Sequence, residues 1–347
     1  MTFQLADISF PLPVIQAPMA GVQDSELALA VASTGALGSL PCGMLGHGAL
    51  IAELDRIKAS ASTVNLNFFC HSVPENSLAG EKAWLELLLP YFEELGLPLP
   101  ALSLEPPSRR PFDHEVADIL EGYAPKIVSF HFGLPEKGLL DRVKSWGSIV
   151  LASATTLEEA LYLEAHGVDA IIAQGLEAGG HRGMFLSQDV SRQQGGLALI
   201  PNIAGRVKVP VIAAGGIADS KGVEAALSLG ASAVQVGTAY LLCHEAKTKA
   251  LHREALKSSA RDHTVLTTLF SGGLARGIAN RLINELGPSP RAVPPYPLAS
   301  RLVGLLREAA EQKGLSDFSP LWCGQNARGC QELSAAERTL SLVRGLI

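Results

Sequence analysis

The chain has 347 residues, 47% of them hydrophobic, with 28 Lys and Arg against 34 Asp and Glu for a net charge of −6. That suffices for one large domain or two ordinary ones with a sizeable core. The two signs are interspersed instead of gathered in a basic stripe or an acidic tail, which argues against nucleic acid or an anionic membrane as partner.

The opening residues, MTFQLADISFPLPVIQAPM, lack the basic flank, continuous apolar stretch and cleavage site of a secretory signal. No later segment is an uninterrupted apolar run of membrane-spanning length. Five cysteines, Cys42, Cys70, Cys243, Cys323 and Cys330, are odd in number, scattered and in no metal-ligand spacing. The expectation is a cytoplasmic protein with reduced thiols and no bound metal.

Along the chain, short runs rich in Val, Ile and Ala end in glycine or a polar turn and are followed by stretches of helical length. The runs are PVIQAPM (13–19), GALGSL (35–40), TVNLNFF (63–69), KIVSFHF (126–132), SIVLASA (148–154), AIIAQG (170–175), PVIAAGG (210–216) and AVQVGTAYL (233–241). They are almost continuously apolar, as a parallel sheet covered on both faces requires. Between them, TLEEALYLEAHG has Thr156 to cap a helix and Gly167 to stop it, and SKGVEAALSLG ends likewise at Gly230.

Eight such units in this length match a (β/α)8 TIM barrel, with a doubly wound open sheet as the structural alternative. The barrel and its ligand site are expected over 1–242. A mostly helical region over the barrel mouth is expected at 243–300, and closing helices at 301–347.

In a barrel, ligands bind where the strands end. The first run ends in Ala17, Pro18, Met19, Ala20 and Gly21; the third carries Asn65 and Asn67 on one face; the fourth ends in His131. The seventh and eighth end in Gly215 and Gly216, with Asp219 or Ser220 to cap the next helix, and in Gly237 and Thr238. Bare amides at these two loops are a phosphate site, unless the glycines serve only tight turns.

After the sixth run comes EAGGHRGM, residues 177–184. Gly179, Gly180 and Gly183 allow positive φ and close approach to a flat ligand. His181 is then placed to hydrogen-bond a substrate or act as a base; the plain alternative is a surface-loop histidine. Glu177 is a candidate to orient it. His131, inside an apolar strand, reads as a pocket-wall residue. No HExxH, GxSxG, Walker or GxGxxG pattern stands in the required context.

Taken in order, QAPMAGV, VNLNFFCH, SFHFG, IIAQGLEAGGHRG, VIAAGGIAD, VQVGTAYL and LWCGQNAR resemble the nitronate monooxygenase family. The resemblance implies an FMN-dependent barrel that oxidises alkyl nitronates, such as propionate 3-nitronate, with O2 to a carbonyl compound and nitrite. It implies flavin contacts from Met19, Asn67, Gln174, Gly179, Gly180, Gly215, Gly216, Gln235, Val236, Gly237 and Thr238. It places His181 as the catalytic histidine and His131, His181 and Tyr296 at the substrate. A monomer or homodimer with nitronate and O2 as its small-molecule partners follows, in a detoxifying role. The alternative on the same scaffold is an FMN-dependent NAD(P)H:quinone reductase or a flavin-type enoyl-acyl carrier protein reductase.

Overall fold

Eight parallel strands follow one another round a ring in the computed structural model, which describes residues 2–75, 77–104 and 109–346. They are β1 (Val14–Gln16), β2 (Gly38–Pro41), β3 (Val64–Phe69), β4 (Ile127–His131), β5 (Ile149–Ala154), β6 (Ala170–Gln174), β7 (Val211–Ala214) and β8 (Ala233–Val236). Each pairs with its neighbours in sequence, β8 pairs with β1, and a parallel bridge from Ile15 to Leu37 joins β1 to β2. This is the (β/α)8 barrel, and all eight expected strands lie within a few residues of their expected bounds. The eighth is shorter than its apolar run because the chain coils at Thr238–Tyr240, where Tyr240 is buried and its hydroxyl meets Thr339 Oγ1 at 2.8 Å.

The local signals act as the sequence implies. Thr156 accepts from the Glu159 amide to start one helix, and Asp219, not Ser220, accepts from Gly222 to start another. An unexpected hairpin, Phe3–Leu5 with Ile8–Phe10, closes the far end of the barrel. Phe3, Leu5 and Phe10 pack there with Ile15, Leu37, Ile127, Leu151 and Ile212. Shutting that end leaves the carboxyl ends of the strands as the open face.

A second core lies apart from the barrel. Trp84, Leu88, Tyr91 and Phe92 of the helix Leu78–Leu95 pack with Leu269, Phe270, Leu282, Leu302, Leu306 and Phe318. Burial of side chains this size stabilises by roughly 1.5–3 kcal/mol each, so this helix, between β3 and β4 in sequence, is held by the appended region. That region is only partly helical, contrary to expectation. Beside Ala250–Lys257 and Arg281–Leu286 it contains the antiparallel strands β9 (Thr264–Thr267) and β10 (Ala275–Ile278). The closing helices also divide: Ser300–Gln312 joins the second core, whereas Ala335 and Leu342 of Ala335–Leu342 pack on the barrel. Among the described residues no helix is long and apolar enough to cross a membrane.

Candidate active site

At the carboxyl ends of the strands lies a cavity of about 310 Å³. Met19, Asn67, His131, Gln174, Gly179, Gly180, His181, Gly215, Gly216, Gln235, Val236, Gly237, Thr238 and Tyr296 all line it. Three other candidates do not. Asn65, two residues below Asn67 on the inward face, donates to Ser39 Oγ at 3.0 Å inside the barrel. Glu177 does not orient His181; its carboxylate accepts the Gly196 amide at 2.8 and 2.9 Å, where an acid suits a helix start. Gly183 leaves room for the neighbouring imidazole, since a Cβ there would stand 2.8 Å from His131 Cε1.

His181 does not sit on a free loop. Gly180–His181 is a two-residue strand added to the appended sheet, with His181 opposite Ala275 and Gly180 opposite Arg276 of β10. The Arg182 amide continues the register by donating to Leu274 O at 2.8 Å. From the barrel side, Gln174 Nε2 donates to the His181 carbonyl at 3.0 Å while its Oε1 accepts the Gly183 amide at 2.8 Å. His131 Nε2 lies 3.2 Å from the same carbonyl, so that nitrogen carries the proton and Nδ1 accepts from Ser153 Oγ at 3.0 Å. Beneath this strand Arg182, 1% exposed, donates to Gln174 O, Gly175 O and Gln193 Oε1 at 2.7–2.8 Å.

With its backbone held from two sides, the His181 ring faces the cavity. Nε2 meets Ser271 Oγ at 2.8 Å, and the rings of Tyr296, Trp322 and Phe132 stand 5.2, 5.4 and 6.1 Å away. Burial holds the imidazole well below the usual histidine range, and the charge of Arg109 pushes the same way. The site therefore presents a neutral imidazole near pH 7. Phe132 has φ of +68°, a conformation rare for a bulky residue, and its ring packs against His131 at 4.6 Å and Tyr296 at 5.2 Å.

Across the cavity, the strand-seven and strand-eight loops offer donors. The amides of Gly216, Gly237 and Thr238 have no hydrogen-bond partner among the described residues. Gln235 Oε1 is buried and likewise unpartnered. The C-terminal run LWCGQNAR supports these loops: Gly324 N–H donates to Thr238 Oγ1 at 2.9 Å, and Asn326 Nδ2 to Gly216 O at 2.9 Å. Sequence reasoning singled out neither Asn326 nor Arg109, Phe132, Ser271 and Trp322. The LWCGQNAR run held Trp322 and Asn326, SFHFG held Phe132, and neither run marked them individually; nothing pointed to Arg109 or Ser271. Among the described residues no three His, Cys, Asp or Glu side chains are grouped to hold a metal ion.

Two histidines on the cavity wall make stability depend on pH. Burial drops both His131 and His252 to about 4, against about 6.5 when unfolded. The unfolded chain binds protons first on acidification, so this stabilisation is complete above about pH 6.5 and is lost as pH falls toward 4. Between pH 7 and 5.5 the urea midpoint should fall by the equivalent of about 1–3 kcal/mol, and less in His252→Gln. A midpoint that does not move over this interval would contradict the burial.

Fold and site together define a barrel enzyme whose ligand cavity opens at the carboxyl ends of its strands. The chain belongs to the nitronate monooxygenase family, whose model matches residues 2–345. The nitronate monooxygenase of Pseudomonas aeruginosa is 42% identical over 347 aligned residues, covering 96% of each chain. The structure of a nitroalkane oxidase from Streptomyces ansochromogenes superposes with a TM-score of 0.87 at 34% identity, covering 97% of this chain and 96% of that one. FabK from Thermotoga maritima shares the fold, with a TM-score of 0.70 at 23% identity over 96% of this chain and 92% of that one.

Proposed function

We propose that this enzyme binds FMN and oxidises alkyl nitronates with O2, giving a carbonyl compound and nitrite, as a cytoplasmic detoxifying activity. The observation that carries the reading is the pairing, in one cavity, of unpartnered donors on one wall with a half-buried neutral histidine on the other. The amides of Gly216, Gly237 and Thr238 suit the oxygens of a phosphate. The unpartnered Gln235 Oε1 suits a ring N–H, with Met19, Asn67 and Gly179 beside it on the wall. These residues fit FMN and would hold it. FMN, when bound, supplies the electron acceptor for the substrate and passes electrons on to O2.

The chain supplies position and polarity. His181 hydrogen-bonds the nitronate oxygens, Tyr296 and His131 complete the substrate wall, and Phe132 and Trp322 keep it dry. For a neutral nitroalkane the same imidazole takes the α-proton. Its low proton affinity makes it a weak base, so preformed nitronates should be the better substrates.

The test is direct. Purified protein should be yellow with flavin maxima, and anaerobic mixing with propyl-2-nitronate should bleach it while NADPH leaves it oxidised. Rapid bleaching by NADPH and none by the nitronate would overturn the assignment in favour of a pyridine-nucleotide-dependent reductase.

A further inference from the structure

Arg109 lines the cavity beside Tyr296. Its guanidinium lies over the Tyr296 ring, 5.9 Å from the centroid, and Tyr296 in turn is 5.2 Å from the His181 ring. Among the described residues it makes no ion pair. Among the described residues the one carboxylate lining the cavity, Glu311, is taken up by Lys249 at 2.6 Å and Ser319 Oγ at 2.8 Å. Glu177, the nearest acid in sequence to His181, is spent on the Gly196 amide. Around the substrate wall the titratable groups besides Arg109 include His71, His131, His181 and the Tyr296 hydroxyl. Burial favours the neutral form of each. The reacting end of the cavity thus holds a half-buried positive charge with no counterion among the described residues.

Such a charge is costly unless a ligand provides the anion. We propose that Arg109 pairs with the negative charge of the substrate and so selects the nitronate over its neutral conjugate acid. This rests on the nitronate reading above for the identity of the anion, though not for the existence of an anion site. Arg109 also explains how one wall attracts an anion while its histidine stays uncharged. The cation is a guanidinium, which leaves the imidazole free for hydrogen bonding.

Two measurements on the FMN-loaded enzyme test this. In steady state, Arg109→Gln should raise KM for propyl-2-nitronate about 10–100-fold with kcat within roughly threefold. KM for neutral 2-nitropropane should hold, and Arg109→Lys should recover part of the loss. In the second, nitrate, a planar oxyanion that is not turned over, is titrated against the His181 imidazole resonance. Binding should saturate in the native protein and weaken at least tenfold in Arg109→Gln, and the His181 titration midpoint should rise once the neighbouring charge is gone. Equal losses for nitronate and nitroalkane, or nitrate binding unchanged in Arg109→Gln, overturn the proposal while leaving native nitronate turnover intact. If the native enzyme ignores nitronates yet Arg109→Gln still loses nitrate, the functional reading falls and the anion site stands.

Discussion

His181→Ala should keep FMN and lose about 10²–10⁴-fold in kcat/KM toward nitronates, the range spanned by a single positioned acid-base or hydrogen-bonding group. The substitution is a clean one because the strand bearing this residue is held by its backbone. Gln174 and His131 bind the His181 carbonyl, the Arg182 amide is tied to Leu274, and β10 fixes the register. None of these contacts uses the imidazole. Its own contact is with Ser271 Oγ, so Ser271→Ala should cost far less, through a looser ring. Oxygen consumption with propyl-2-nitronate, beside flavin content by absorbance, measures both effects. Unchanged turnover in His181→Ala would remove the histidine from the mechanism.

The second large effect concerns stability. Arg182→Met should destabilise the protein by roughly 3–5 kcal/mol, as removal of one member of a buried charged network does. The methionine fills much of the space but leaves Gln174 O, Gly175 O and Gln193 Oε1 without their donor. Each stranded acceptor costs on the order of 1–3 kcal/mol. Burial already draws this guanidinium down to about 10, with Glu177 and Glu159 pulling the other way. Lysine should not rescue it, because one ammonium lacks the planar fork that reaches three acceptors. A fall in melting temperature of roughly 5–10 °C is expected, and an unaltered melting curve would refute this account of the loop. Because Arg182 underlies the His181 strand, turnover should fall with it.

These two neighbours show how differently residues can be read from sequence. EAGGHRG announced a reactive histidine through its glycines, yet the same run gives no sign of what Arg182 does. Nothing in its local pattern tells that it is buried under the strand ends. Glu177 misled for the same reason: its neighbour in sequence is His181, but its neighbour in space is the start of the helix Gly196–Ala204.

What the sequence by itself determined is the barrel and the floor of its cavity. Continuous apolar runs, helix caps and glycine stops are local properties, and a ring of eight parallel strands brings their carboxyl ends together. Met19, Asn67, Gln174, Gly216 and Gly237 therefore meet at one cavity from positions more than two hundred residues apart. What only the tertiary structure decided is the wall opposite. His181 became a strand residue because β10, some ninety residues later, supplies the edge it pairs with. Arg109, Tyr296 and Trp322 reach the site through loops and an appended core whose packing no local periodicity encodes. The physical reason is that backbone periodicity fixes which side chains share a face within one element, whereas a pocket wall is set by contacts between elements.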